Sequence, residues 1–266
     1  MAAAKAKCDN SVVLECCIEG IESVIQASEG GAHRIELCAN LAQGGVTPSI
    51  GDIEVAVSAV EGSHTKVHVL IRPRPGDFVY SALEKQVMSK DVEAAIEAGA
   101  HGIAIGALLE DGRIDTETIV RLLRAAKTTR APALCSVTFH RAFDCCTTEP
   151  LAAVETLISL GVDRVLTSGR AENAWDGREM LARLVEAGKG RIIIMPCAGI
   201  TGQNVKQLVL ATGAGEVHVG SGCHEVVARP FHDRNSVSLG PSEGGSTVGF
   251  KRASCRRVSE ILQQLS

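Results

Sequence analysis

The stretch GAHRIELC at residues 31–38 decides the fold, because the chain repeats its pattern of a glycine followed by a short apolar run. Four further copies are GAHGIAIG at 99–106, GVDRVLTS at 161–168, GKGRIIIM at 188–195 and GAGEVHVG at 213–220. Each glycine comes after a helical pattern, where a left-handed residue typically ends a helix. Each run is nearly continuous in apolar character, which is typical of a parallel strand buried on both faces. The chain is therefore predicted to consist of repeated helix-to-strand units.

Counting these units predicts the architecture. Three less regular strands, at residues 11–17, 66–72 and 133–140, bring the total to eight. Helical patterns alternate with the strands at residues 19–29, 49–60, 81–98, 115–127, 149–159, 173–187 and 201–210. Eight such units in 266 residues fit a single α/β (β/α)₈ TIM barrel, whose usual length is about 250 residues. An open doubly wound sheet is the alternative, but no glycine-rich dinucleotide turn follows the first predicted strand.

The predicted domain organisation is simple. We expect a single domain over residues 1–266, with the barrel core at 12–222 and a C-terminal extension at 223–266. Residues 223–250 are rich in Gly, Ser and charged side chains, which predicts a loop, and a last helix is predicted over 253–265.

Composition argues against several classes of partner. A net charge of −4 and an aromatic share of 3% favour neither the basic surface nor the stacking platform of a nucleic-acid-binding protein. The apolar runs are far shorter than the roughly 20 residues that span a membrane. Residues 1–10 lack the apolar core of a signal peptide. The ten cysteines have no C-x-x-C spacing, so we expect reduced thiols and a cytoplasmic location.

The repeat also predicts which side chains enter the barrel, because successive strand residues point to opposite faces. The fourth and sixth residues after each glycine are almost wholly apolar and are predicted to pack under the helices. The fifth and seventh are predicted to face inward. With the irregular strands treated in the same way, the predicted interior contains these polar or sulfur-bearing residues: Glu15, Cys17, Glu36, Cys38, Arg72, His140 and His218.

Four of these residues are candidates for catalysis, namely Glu15, Glu36, Arg72 and His140. Most lie near the carboxyl ends of their strands, which form the active face of this fold. Arg72 is the expected partner of Glu15 or Glu36, because an unpaired buried ion costs several kcal/mol. His140 is the expected proton carrier, because an ordinary imidazole titrates near neutral pH. A polar layer that satisfies itself and has no ligand is the alternative.

Two inward cysteines are candidates for metal binding. Cys17 and Cys38 are expected at matching heights on the first two strands, which lie roughly 4.8 Å apart in a sheet. Thiolates select Cu(I) or zinc over hard cations. Spacing alone favours a pair of inert core cysteines, because the two come from separate strands and not from a compact motif.

The loops after the last two strands are candidates for anion binding. Gly199 lies in the turn after the seventh strand, and Gly220 and Ser221 end the eighth. Barrels of this kind often bind phosphate there through backbone N–H groups. Arg72 could add a guanidinium group, which suits carboxylates and phosphates. Ordinary glycine turns explain the same residues equally well.

Several motifs, in the same order, resemble the CutC copper homeostasis family. They are ELCANLAQGGVTPS at 36–49, IRPR at 71–74, TFHRAFD at 138–144, LTSG at 166–169 and MP at 195–196, and the resemblance covers residues 12–222. It implies a TIM barrel, a homo-oligomer and a role in cytoplasmic copper handling. It also implies Cu(I) binding at Cys17 and Cys38. The chain departs from the family pattern at Cys16 and at Cys197.

Two hypotheses follow. The first is a cytoplasmic copper homeostasis protein that binds Cu(I) through Cys17 and Cys38. The second is a barrel enzyme acting on a small anionic or phosphorylated polyol or carbonyl compound. In that case Glu15, Glu36 and His140 would move protons and Arg72 would hold the anion.

Overall fold

The structure is a computed structural model that describes residues 12–128, 135–228 and 249–266. Eight parallel strands form its centre: β1 (Val13–Glu19), β2 (Arg34–Cys38), β3 (Lys66–Leu70), β4 (Gly102–Ile105), β5 (Ser136–Phe139), β6 (Arg164–Thr167), β7 (Ile193–Pro196) and β8 (Glu216–Val219). They follow one another in the sheet order β7, β6, β5, β4, β3, β2, β1, β8. The outer strands β7 and β8 contact each other, so the sheet is a nearly closed barrel. The predicted TIM barrel is confirmed.

Helices cover the outside of the barrel. In the described residues they are α1 (Ile21–Glu29), α2 (Ile50–Ala59), α3 (Ala82–Glu97), α4 (Thr116–Thr128), α5 (Ala142–Cys145), α6 (Pro150–Leu160), α7 (Arg178–Gly188), α8 (Val205–Thr212) and α9 (Cys255–Leu265). Local sequence sets several starts: Ser49 caps α2, and Ser81 and Glu84 form a capping box on α3. The short helix α5 was not predicted. None of these helices is long and apolar enough to cross a membrane.

The repeated glycines behave as predicted in four of the five copies. Gly31, Gly99, Gly161 and Gly213 all have positive φ, which a residue without Cβ adopts at little cost. The fifth prediction is wrong, because Gly188 is the last residue of α7. The turn there uses Gly190, with φ of 73°, so the left-handed residue comes two positions later.

The predicted division between the two faces of the strands is confirmed. The outward positions are buried between strands and helices in one continuous hydrophobic core, which includes Leu14, Ile35, Ile103 and Phe139. Thr167 is the polar member of this set. Cys38, Leu70 and Ala104 form a separate cluster inside the barrel, and Leu166, Met195 and Cys197 form another.

The C-terminal extension contains more regular structure than predicted. Two antiparallel strands, β9 (His224–Ala228) and β10 (Gly249–Ala253), precede α9 where a loop was expected. Helix α9 buries Val258 and Ile261 and packs against α1. The predictions for residues 1–10, for the first residues of the strand at 133–140 and for most of the loop after residue 223 lie outside the described residues.

Candidate functional site

Buried ion pairs fill the end of the barrel where the strands begin, which we call the barrel floor. Arg34 on β2 donates through Nε to Oε2 of Glu15 and through Nη2 to Oε2 of Glu216, the latter at 2.5 Å. Arg164 on β6 also donates to Glu216, at 2.6 Å from Nε to Oε2. Arg34, Arg164 and Glu216 were not among the predicted site residues. Each is the third residue after the glycine of its repeat. Because inward side chains alternate along a strand, the third residue faces inward like the fifth and the seventh, so the repeat could have predicted all three.

The predicted pairing of Arg72 with Glu15 or Glu36 is therefore wrong. Arg72 lies just after β3 and uses its guanidinium group to hold the surrounding loops. Nη1 donates to the carbonyl oxygen of Gly45 at 2.8 Å, and Nη2 donates to that of Gly76 at 2.7 Å. Loop carbonyls, and not a carboxylate, balance this buried cation.

Glu15 has a second partner above Arg34. Nδ1 of His218, on β8, lies 2.7 Å from Oε1 of Glu15. Burial opposes ionisation of Glu15, but Arg34 and His218 outweigh it and hold its pKa well below the ordinary value. The pKa of His218 shifts in the opposite direction, upward. Burial disfavours the imidazolium, but hydrogen bonds to Cys17 and Glu15 raise its pKa well above the ordinary value.

The two predicted metal ligands lie together above this pair. Sγ of Cys17 and Sγ of Cys38 are 3.8 Å apart, and Sγ of Cys38 lies 3.7 Å from Oε2 of Glu36. The three ligand atoms lie within 4.8 Å of one another. The residues are not at matching heights: Cys17 pairs with Glu36 in the strand register, and Cys38 pairs with Glu19. The sulfurs meet diagonally, across an offset of two residues on the same face.

Electrostatics makes the two thiols unequal. The hydrogen bond from Cys38 outweighs burial and, together with His218, lowers the pKa of Cys17 well below the ordinary thiol value. The same hydrogen bond and burial raise the pKa of Cys38. Burial and the charge of Cys17 raise the pKa of Glu36. These pKa shifts favour the thiolate form of Cys17, the thiol form of Cys38 and the protonated form of Glu36, beside a histidine whose cationic form is favoured.

His140 does not behave as the predicted proton carrier. The residue is only 4% exposed and directly follows β5. Burial, assisted by the charge of Arg72, lowers its pKa to about 3. The expectation that it titrates near neutral pH is wrong, because the buried ring stays neutral.

The predicted anion-binding residues follow three different strands, namely β3, β7 and β8. Arg72 follows β3, and β2 and β1 separate that strand from β8. Gly199 forms a left-handed turn whose carbonyl accepts a hydrogen bond from Asn204 Nδ2 at 2.8 Å. Gly220 directly precedes Ser221, which lines a cavity of about 630 Å³ that faces α9 and not the barrel interior. The turns after β7 and β8 adjoin each other, because a Cβ at Gly222 would lie 2.2 Å from the carbonyl oxygen of Ile200. The hydrogen bonds of Arg72 go to the loops at Gly45 and Gly76.

The two cysteines that depart from the expected pattern also stay outside the cluster of Cys17, Glu36 and Cys38. Cys16 lies on the outward face of β1, in the core beneath the helices. Cys197 is 1% exposed and packs inside the barrel against Leu166 and Met195.

Fold and site together define a (β/α)₈ barrel protein whose interior contains two cysteines beside a buried carboxyl and a buried histidine. The chain belongs to the CutC family, whose model matches residues 12–223.

Similar proteins from distant organisms agree with this assignment. The human copper homeostasis protein cutC homolog is 40% identical over 260 residues, which is 97% of this chain and 90% of the relative. A family protein CutC of Parabacteroides distasonis is 42% identical over 86% of this chain and 90% of its own. The crystal structure of a copper homeostasis protein CutC from Streptococcus agalactiae has a TM-score of 0.73 at 33% identity, covering 79% of this chain and 98% of that one. Orotidine 5'-phosphate decarboxylase of Pyrococcus horikoshii, at 11% identity and a TM-score of 0.57, shares the fold alone.

Proposed function

We propose that this chain is a cytoplasmic copper homeostasis protein that binds Cu(I) as cargo through Cys17 and Cys38. The observation that carries the proposal is the 3.8 Å separation of the two sulfurs inside the barrel, which allows both to bind one ion. Paired thiolates are the ligand set that Cu(I) prefers. The names of the curated relatives support copper handling as the general role.

The surroundings of the sulfurs fit a soft cation. Metal-bound cysteines must be deprotonated, and the lowered pKa of Cys17 favours that form at one of the two ligands. Binding would then require the loss of the Cys38 proton. Two thiolates and one Cu(I) carry a net negative charge, which the neighbouring His218 cation offsets in this buried position. Glu36 provides a carboxyl oxygen at the same place.

Anaerobic titration with Cu(I) against a chromophoric chelator tests the proposal. The wild-type chain is expected to bind one Cu(I), and Cys17→Ser with Cys38→Ser is expected to remove that binding. Cys145→Ser is the matched control, because Cys145 is exposed and lies outside the cluster. Stoichiometric binding that survives the double substitution would contradict the assignment.

The location and the oligomeric state belong to the same proposal. All nine cysteines of the described residues are free, as in proteins of a reducing compartment. We also propose that the chain self-associates, as the resemblance to the family implies. Sedimentation equilibrium is expected to give a multiple of the 27.9 kDa chain mass, and a monomer at micromolar concentration would contradict it.

A second candidate function is an enzyme acting on a small anionic or phosphorylated polyol or carbonyl compound. One observation favours it: the surroundings lower the pKa of Glu15 and raise that of Glu36. Carboxyls whose pKa values are pushed apart are a common acid and base arrangement. Thermal-shift screening with phosphorylated polyols and small keto acids is expected to raise Tm for at least one compound. Indifference to every compound would count against this candidate.

A further inference from the structure

The imidazole of His140 has a defined proton position. Its Nδ1 accepts a hydrogen bond from the backbone N–H of Ala142 at 3.2 Å. An acceptor nitrogen carries no proton, so in the neutral ring the proton lies on Nε2. Gly106, directly after the neighbouring strand β4, leaves space for the ring, because a Cβ there would lie 2.4 Å from Cε1 of His140. His140 is thus held as a fixed hydrogen-bond donor.

That donor has no acceptor among the described residues, although Nε2 is buried. Two nearby buried polar atoms share this condition within the described part of the chain, namely Nε of Arg72 and the hydroxyl of Tyr80. A buried polar group without a partner costs about 1–3 kcal/mol, so such groups usually face a water or a ligand. The Tyr80 hydroxyl interacts with the Arg72 side chain. The unpartnered Nε2 of His140 and Nε of Arg72 therefore indicate a binding site.

Phe78 links Arg72 and His140. The guanidinium carbon of Arg72 lies 5.1 Å from the centroid of the Phe78 ring, and the rings of Phe78 and His140 are also 5.1 Å apart. The charge of Arg72 acts on both His140 and Tyr80. The site therefore lies at the carboxyl ends of β3 and β5, the face of the barrel that carries ligands in this fold.

The chemistry of the three groups selects the ligand. An imidazole N–H, a guanidinium N–H and a phenol hydroxyl can all donate, and Arg72 adds a positive charge. A metal ion does not fit, because the protonated Nε2 cannot coordinate it. We propose that this site binds one oxygen of a small oxyanion, a carboxylate or a phosphate group, with His140 Nε2 as the central donor. The proposal rests neither on copper binding nor on Glu15 and Glu36.

Nuclear magnetic resonance of the metal-free, full-length protein, labelled with ¹⁵N in its histidines, tests the proposal. Inorganic phosphate and acetate are the two probes, and whichever binds identifies the type of oxyanion. Saturable movement of the His140 Nε2 resonance is expected with at least one of them. The absence of any movement, with a spectrum that shows a folded protein, would overturn the proposal.

Two variants separate the donor from mere packing. His140→Phe fills the space but lacks the donor, and it is expected to weaken binding of the effective probe at least about tenfold, as for one hydrogen bond to a charged group. His140→Gln retains an amide N–H and is expected to keep binding within about threefold of wild type. Equal affinity in His140→Phe and wild type would contradict the proposal. Should His140→Phe not fold, the wild-type resonance and His140→Gln decide the outcome.

Discussion

Nδ1 of His218 lies 2.7 Å from Oε1 of Glu15, and this contact joins the ion pairs of the barrel floor to the two thiols above them. Glu15 is anchored from below by Arg34. The raised pKa of His218 keeps a positive charge beside Cys17. Removing that charge should therefore change the chemistry of a cysteine on another strand.

The first prediction concerns the reactivity of Cys17. His218→Asn keeps an amide that can reach Glu15 but removes the cation, so the pKa of Cys17 should rise. Since the thiolate is the reactive form, alkylation of Cys17 by iodoacetamide at pH 6–7 should slow relative to wild type. Mass spectrometry of the modified peptide measures the rate, with the exposed Cys145 as an internal reference. An unchanged pH profile for Cys17 would show that His218 does not control it.

The second prediction concerns the barrel floor. Glu216 accepts hydrogen bonds from both Arg34 and Arg164, so Glu216→Gln leaves the buried Arg164 without a carboxylate and leaves Arg34 with Glu15 alone. The free energy of unfolding should fall by about 3–5 kcal/mol, as for other broken buried ion pairs. The matched control is Glu155→Gln, which breaks an exposed pair with Arg191 and should leave the urea midpoint almost unchanged. If both substitutions lowered the free energy of unfolding equally, the buried ion pairs would stabilise the fold no more than an exposed pair, which would contradict this prediction.

The third prediction concerns stability at acid pH. The pKa of His140 is lowered to about 3 in the folded chain, whereas the ordinary value is 6.5. Between these values the unfolded chain binds a proton that the folded chain does not, so stability falls as the pH decreases. The slope for one such group is about 1.4 kcal/mol per pH unit. His140→Gln removes this contribution, and urea denaturation at pH 6, 5 and 4 should show its stability gap to wild type narrowing. A constant gap would mean that His140 is protonated in the folded state.

The fourth prediction concerns Gly106. A Cβ at this position would lie 2.4 Å from Cε1 of His140, so Gly106→Ala must displace the ring. We expect a loss of about 1–3 kcal/mol, as for other overpacked cores, and a changed His140 resonance. Gly215→Ala is the control, because no atom lies within 4 Å of the added Cβ. Should Gly106→Ala leave both stability and the resonance as in wild type, the placement of His140 is wrong.

The barrel and its interior could be predicted from one repeated pattern, because the alternation of strand side chains is a local property. Glu36 and Cys38 follow directly from their position after Gly31. The same rule would also have predicted an inward Arg34, because Arg34 precedes Glu36 by two residues on the same strand. Here the signal was present in the sequence.

Other features depend on relationships between segments that a local pattern does not contain. Cys17 lies opposite Glu36 in the strand register, yet its sulfur contacts that of Cys38. This offset comes from the relative position of β1 and β2. The partners of Arg72 are backbone carbonyls in loops shaped by Gly45 and Gly76, both at positive φ. The lowered pKa of His140 depends on its burial in the folded chain. None of these can be deduced from residue types alone.

X-ray absorption at the copper edge of the Cu(I)-loaded protein tests the central claim most directly, because it reports the atoms bonded to the ion. We expect a first shell with two sulfur atoms in the wild-type chain and in Cys145→Ser. Cys17→Ser with Cys38→Ser should lose both sulfurs. A wild-type shell of nitrogen and oxygen alone, or a sulfur shell that persists in the double variant, would contradict copper binding at this pair of cysteines.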